Sequence, residues 1–333
     1  MKTVPFGNTG MRVSALGLGT MSFGGDADRE TSAALFGAAR DAGVTFFDCA
    51  DVYAGGRSES ILGELITDCR DEVVIASKAY FPTGDGINDR GSSRYHLVRA
   101  VEASLRRLGT DRIDVFYLHR HDDATPLEET LRAVERLVQD GKVLYPAVSN
   151  FAAWQTVQSV GIADRRGWSP VAGVQPMYNL FKRTAEIEIL PMAASLGLAV
   201  TPYSPLGGGL LTGKYGRERR PDAGRIVDNP MYTARYGDPR AFALAESFAE
   251  LAQQHGVHPV TLAVAWVRAH PAVTAPLVGG RNVEQLRPAL EAASFEMDDA
   301  LYAAVSALSE TPPPATDRNE EAGAHHYGAV LRR

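Results

Sequence analysis

Short apolar runs alternate with amphipathic segments along almost the whole of this chain, and that alternation admits few folds. Apolar runs at 14–18, 44–47, 73–77, 113–118, 143–148, 171–174, 198–202 and 273–278 predict strands. Helical patterns separate them at 29–42, 58–69, 95–108, 127–139, 152–166, 183–196, 240–254 and 259–269, and two more follow at 283–293 and 298–308. A strand, a helix and a second strand in succession imply a crossover, and therefore a parallel sheet. Eight such units close into a (β/α)8 TIM barrel more readily than they form an open sheet. Glycines follow the helical patterns at Gly43, Gly109, Gly141, Gly197 and Gly256, where a left-handed cap ends a helix.

The opening residues 4–6 and 12–13, around Gly7-Asn8-Thr9-Gly10, predict a β-hairpin able to plug the barrel bottom. No linker rich in Pro, Gly or Ser divides the 333 residues, so a single domain over 1–333 is expected. Two segments stand outside the repeat. Residues 207–239 are polar and carry Arg217, Arg219, Arg220 and Arg225, which suggests a mobile loop on the cofactor side. The tail 311–333, with Pro312-Pro313-Pro314, lacks periodicity and is expected to be disordered or folded over the rim. A net charge of −6 argues against nucleic-acid and anionic-membrane partners. Cys49 and Cys69 are the only cysteines, and no apolar stretch approaches the roughly 20 residues of a membrane span. A cytoplasmic location is the expectation.

Three predicted strands stop at side chains able to do chemistry. They are Phe46-Phe47-Asp48-Cys49-Ala50-Asp51-Val52-Tyr53, Val74-Ile75-Ala76-Ser77-Lys78 and Phe116-Tyr117-Leu118-His119. In one barrel, Asp48, Tyr53, Lys78 and His119 would all emerge at the C-terminal rim, where such barrels place their active sites. A phenol titrates near ~10, and a neighbouring ammonium favours its ionised form. Tyr53 is therefore the candidate proton donor, Lys78 its tuner and Asp48 the anchor of Lys78. His119 can donate to a carbonyl oxygen. No amino acid supplies hydride, so this set implies a nicotinamide cofactor and a small-molecule carbonyl substrate.

These residues resemble the aldo-keto reductase superfamily, whose Asp/Tyr/Lys/His tetrad matches Asp48-x-x-x-x-Tyr53, Ala76-Ser77-Lys78 and Leu118-His119 in order. Gly17-Leu18-Gly19-Thr20, Gly141-Lys142-Val143 and Val148-Ser149-Asn150-Phe151 extend the match over nearly the whole chain. The resemblance implies an eight-stranded barrel that reduces carbonyls with NADPH. It also implies that Ser149, Asn150 and Gln175 bond the nicotinamide carboxamide while Tyr203 stacks on the ring. Thr20, Met21, Asp48, Ser204, Pro205 and Leu206 are implied as further cofactor contacts; Lys214 and Arg225, in the long polar loop, either close over the pyrophosphate or are exposed charges with no role. Gly279, Arg281 and Gln285 match the adenosine-phosphate site, where Arg281 favours NADPH and NADH stays an open alternative. The bacterial and fungal branch related to aryl-alcohol dehydrogenases is the nearest, on Tyr53-Ala54-Gly55-Gly56-Arg57-Ser58-Glu59, 81–91 and Leu210-Leu211-Thr212-Gly213-Lys214-Tyr215. The chain departs from the pattern at Cys49 (usually Thr), Ala147 (often Gly), Ala289 (often Asn) and His121 (commonly Pro). His121 would face the side of His119, to touch substrate or simply be solvated. Phe23, Tyr80 and Phe81 suit an aromatic aldehyde, and a keto-sugar competes with it.

Rival readings are weaker. Tyr178-x-x-x-Lys182 imitates short-chain dehydrogenases, but Gly17-x-Gly19 lacks the third glycine of a dinucleotide fingerprint. Gly208-x-x-x-x-Gly213-Lys214 imitates a phosphate loop until Tyr215 takes the Ser/Thr position. His119-Arg120-His121 imitates a metal pair, as in a barrel metallohydrolase, but brings no ligands from other strand ends. A cofactor-bound sensor or assembly protein of the same fold, such as a potassium-channel beta subunit, is the remaining alternative. No metal is expected.

Overall fold

The computed structural model describes residues 1–318. It opens with an antiparallel hairpin of β1 (Thr3–Pro5) and β2 (Arg12–Ser14). Eight parallel strands follow, namely β3 (Gly17–Gly19), β4 (Phe46–Asp48), β5 (Val74–Ala79), β6 (Ile113–Leu118), β7 (Val143–Ser149), β8 (Gly173–Gln175), β9 (Ala199–Val200) and β10 (Leu277–Val278). β10 pairs with β3, and the rest pair in chain order through β9. The seam between β9 and β10 is closed by backbone bonds. Thr274 N–H donates to the Val200 carbonyl at 2.8 Å, and Leu277 N–H to the Pro202 carbonyl at 2.9 Å. Helices α1 (Arg29–Asp41), α2 (Arg57–Ile66), α3 (Arg94–Leu108), α4 (Leu127–Gln139), α5 (Ala153–Arg166) and α6 (Ile189–Leu196) form the successive crossovers.

The strand pleat decides where chemistry appears. Successive side chains point to opposite faces, so residues two apart share a face. Phe46, Ala76, Val115, Tyr117, Ala147, Ala199 and Leu277 pack together inside the barrel with Phe6 of the hairpin. Phe47, Ile75, Phe116 and Val148 face outward into the layer shared with the helices. Small alanines at Ala76, Ala147 and Ala199 leave room for the rings of Phe46, Tyr117 and Phe6. Two residues beyond Phe46, Ala76, Tyr117 and Ala147 stand Asp48, Lys78, His119 and Ser149. Inner-face periodicity thus delivers these four to the C-terminal mouth.

The opposite end is filled. Gly7 has φ +54°, and a Cβ there would stand 2.7 Å from Ala199 N and 2.9 Å from the Ala172 carbonyl. Only glycine admits that approach. The hairpin turn is therefore seated on the starts of β8 and β9, with the Phe6 and Phe46 rings 5.9 Å apart above it.

Several expectations change in detail. The run 14–18 is split, because Ser14 ends the hairpin and Gly17 starts the barrel pressed against Phe46 and Leu277. The helix expected from 183 starts at Ile189, after a short 3-10 turn over Thr184–Glu186. The segment 207–239 is not the structureless loop that its polarity suggests. It contains a 3-10 turn, α7 (Arg225–Asp228) and α8 (Pro230–Tyr236), and it buries Tyr215, Ile226, Tyr232 and Tyr236. Aromatic anchors outweigh the arginines, of which Arg225 and Arg235 lie over the Tyr232 ring. α9 (Pro239–Gln254) and α10 (Pro259–Ala269) then lead to β10, and α11 (Val283–Glu291) and α12 (Asp299–Ser306) close the shell. Arg183, between β8 and α6, donates to the Ser306 carbonyl and to Ser309 Oγ, at 3.1 and 3.0 Å, and so ties down the end of α12. The tail from 319 onward, including His325-His326, lies outside the described residues.

Candidate active site

At the mouth, Lys78 Nζ sits with its side chain fully buried and donates to three oxygens. These are Asp48 Oδ1 at 2.5 Å, the Cys49 carbonyl at 2.7 Å and the Tyr53 hydroxyl at 3.5 Å. Asp48 is held from its other side by Gln175 Nε2 at 2.8 Å from Oδ2. The two strand-end groups are thus joined by direct bonds, with Tyr53 supplied by the loop after β4. His119 completes the set at 8% exposure, with its ring 6.1 Å from that of Tyr53 and edge-on to it. Its Nδ1 is buried and has no partner among the described residues. Phe81 packs edge-on against His119 at 4.8 Å, and Tyr80 against Phe81 at 5.2 Å.

Burial and charge pull the titrations apart. Burial drives the Tyr53 phenol up to about 12, and the Lys78 ammonium, which lowers it, only partly compensates. Tyr53 is therefore a better-protected acid than the sequence reading expects, and not a more acidic one in the free protein. Burial also works against the Lys78 ammonium, but Asp48 and Tyr53 together outweigh it and hold the charge firmly. His119 is pushed down to about 3, first by burial and then by the Lys78 charge, so its imidazole is neutral across the physiological range. A neutral donor beside a fixed cation and a protonated phenol makes a site suited to giving a proton to a substrate oxygen.

The residues expected to hold a cofactor fall into two groups. One adjoins the tetrad. Ser149 Oγ donates to the Gln175 carbonyl at 3.0 Å, Asn150 Nδ2 donates to the His119 carbonyl at 3.0 Å, and the Tyr203 hydroxyl donates to Asn150 Oδ1 at 2.7 Å. Asn150 and Ser204 both have positive φ, at +57° and +58°, which turns the chain sharply after β7 and β9. Asn179 Nδ2 donates to the Ser204 carbonyl at 2.9 Å and fixes the turn carrying Pro205 and Leu206. Met21 is 41% exposed in the loop after β3. Thr20 behaves differently from expectation: it is fully buried, with its hydroxyl against Ser58 Oγ at 2.9 Å, so its side chain is engaged in structure.

The second group carries charge. Arg281 Nε donates to Asp26 Oδ2 at 3.0 Å, and Arg225 approaches the same oxygen at 3.8 Å. Lys214 lies in the field of both arginines, which together with burial lowers its pKa. Gln285 accepts from Arg281 N–H at 3.2 Å, and Asn282 caps α11 by accepting from Gln285 N–H. Gly279 runs close to the Gly19 carbonyl, where an added Cβ would lie 3.2 Å away. Three cations around Asp26 and Asp228, beside a helix N-terminus, suit the phosphates of a dinucleotide. Ala289 is fully buried in the core and offers nothing to that surface.

His121 donates or accepts at Nδ1 with Asp123 at 3.0 Å and packs on Phe151 and Trp154, so it is neither free in solvent nor bonded to His119. Cys49 is buried, and burial pushes its thiol up to about 12, so the departure from Thr is inert. Ala147 simply joins the barrel interior. The Tyr178 hydroxyl donates to Glu186 at 2.7 Å inside the helical layer, away from any dehydrogenase role. Among the described residues, no cluster of three His, Cys, Asp or Glu side chains is placed to hold a metal, and no helix is long and apolar enough to cross a membrane. The Cys49 carbonyl, a third ligand for Lys78, left no signal in the sequence. A backbone atom has no residue type to betray it.

Comparison with known proteins gives the same assignment. The Aldo/keto reductase family profile matches residues 15–310. An uncharacterized oxidoreductase of Bacillus subtilis is 40% identical over 311 residues, covering 90% of this chain and 93% of the relative. A protein of Oryza sativa named as a voltage-gated potassium channel subunit beta is 38% identical over 287 residues, covering 84% and 87%. A Schizosaccharomyces pombe protein named as an aryl-alcohol dehydrogenase is 34% identical over 329 residues, covering 88% and 91%.

Proposed function

Because the chain belongs to the aldo/keto reductase family, we propose that it is a cytoplasmic NADPH-dependent reductase that converts an aldehyde or ketone to an alcohol, with Tyr53 as the proton donor. The observation that carries this reading is the buried Lys78 ammonium, bonded to Asp48 and 3.5 Å from the Tyr53 hydroxyl. A nicotinamide cofactor, when bound, would supply the hydride for the carbonyl carbon. Tyr53 gives its proton to the carbonyl oxygen, and Lys78 stabilises the phenolate left behind. Asp48 keeps Lys78 charged and in place. His119, neutral, donates a hydrogen bond to the same oxygen and orients it. Gln175, Asn150 and Ser149 would hold the carboxamide, and Tyr203 would back the ring. Lys214, Arg225 and Arg281 would take the phosphates, with Arg281 favouring the 2′-phosphate of NADPH over NADH.

Phe81 and Tyr80 beside His119 support an aromatic aldehyde, and a keto-sugar is the competing substrate class. The second reading is a cofactor-bound sensor or assembly protein of the same fold with little turnover, and the rice relative's name as a channel subunit favours its assembly half. Steady-state oxidation of NADPH with 4-nitrobenzaldehyde separates the two. Sustained turnover, with a clear preference for NADPH over NADH, is expected. Binding of NADPH without turnover on aromatic aldehydes or keto-sugars would overturn the enzyme reading.

A further inference from the structure

Asp51 lies two residues before Tyr53 and is 2% exposed, yet no side chain among the described residues is hydrogen-bonded to either carboxyl oxygen, and among N–H donors only that of the adjacent Val52 favours its ionised form. Its backbone is fixed, since Asp51 N–H donates to the Lys78 carbonyl at 3.1 Å. Three charged groups act on it through space, Glu59 of α2, Arg107 of α3 and Lys78 of β5. All three are already engaged with other groups. Glu59, fully buried, accepts from Ser77 Oγ at 2.5 Å and from Arg107 Nε at 2.7 Å. Lys78 is committed to Asp48. An ionised Asp51 would thus be a second buried carboxylate with no cation of its own, a costly state that proteins avoid by keeping the proton. Burial, then Glu59, accordingly push Asp51 up to about 8.

The turn that carries Tyr53 rests on the same groups. Ala54, Gly55 and Gly56 have φ of +50°, +65° and +89°, and Gly56 sits on Arg107, where an added Cβ would stand 2.8 Å from Cδ. Ala54 is a strained conformation for a residue with a side chain. Charge appearing at Asp51 would pull on Arg107 from below the turn and offset the field of Lys78 at the phenol.

We propose that Asp51 is a positioning residue that works as a neutral carboxylic acid beneath Tyr53, and that its ionisation turns carbonyl reduction down at alkaline pH. The catalytic half rests on Tyr53 being the proton donor, as argued above.

Asp51→Asn keeps the shape and cannot ionise. With NADPH and 4-nitrobenzaldehyde, wild-type kcat should fall about tenfold between about pH 7 and pH 9, while the variant falls less than about twofold. A limb of the same size and midpoint in both proteins overturns the proposal. No turnover in either protein at any pH sinks the reductase reading instead. The same pair is read by thermal unfolding, which needs no activity. A folded-state pKa raised above the unfolded one means that stability is lost as pH climbs from ~4 toward about 8. The Tm advantage of the variant should therefore widen with pH over that window and then level off. A Tm difference that is constant with pH overturns the proposal as well. Should the variant not fold, infrared difference spectra of the wild type between about pH 6 and pH 9 must show loss of a protonated carboxyl band. Absence of that band is equally fatal.

Discussion

A lysine with no exposure to water persists only where its charge is met, and Lys78 is met by Asp48 at 2.5 Å and the Cys49 carbonyl at 2.7 Å. Replacing one partner of such a pair strands the other. Lys78→Met should therefore cost about 3–5 kcal/mol in urea unfolding, because Asp48 remains buried and unpaired. The double variant Asp48→Asn, Lys78→Met should recover much of that loss, though not activity. Additive losses in the double variant would show that the two groups do not act as a pair. Asp48, Lys78 and His119 were legible in the sequence because each ends a short apolar run, and Tyr53 because it follows Asp48 by five residues. Their electrostatics were not. Whether Lys78 or burial wins at Tyr53 depends on how much solvent is excluded, and burial wins by enough to hold the phenol at about 12.

Among elements, the long amphipathic helices were the easiest to read, and α4 (Leu127–Gln139) and α10 (Pro259–Ala269) fall on the expected residues. The short strands were harder. β9 and β10 keep only two ladder residues each, because the seam between them is made by single backbone bonds that leave no pattern in side-chain type. The 207–239 segment misled through its arginines, while Tyr215, Tyr232 and Tyr236 decided its structure. The loop between β10 and α11 places Arg281 against Asp26 in the loop after β3, the strand next to β10. Arg281→Ala should raise the KM for NADPH by roughly tenfold or more, the scale of one lost charge-assisted contact, and leave the KM for NADH nearly unchanged. Equal effects on both cofactors would remove Arg281 from 2′-phosphate recognition.

Across the whole molecule, stability and chemistry occupy opposite ends of one cylinder. Phe6 is fully buried and plugs the bottom, while the tetrad opens at the top. Phe6→Ala should cost about 3–5 kcal/mol by chemical unfolding. Its kcat and KM, measured well below the unfolding transition, should stay within about twofold of wild type. A large change in kcat would mean that the two ends are coupled. The central claim concerns the top, and Tyr53→Phe tests it most directly. NADPH affinity from fluorescence titration and the single-turnover rate of hydride transfer should be measured on the same variant. The expected result is near-normal NADPH binding with a rate lowered roughly 10²–10⁴-fold, the range for a lost general acid. A Tyr53→Phe protein that reduces carbonyls at the wild-type rate would contradict the account.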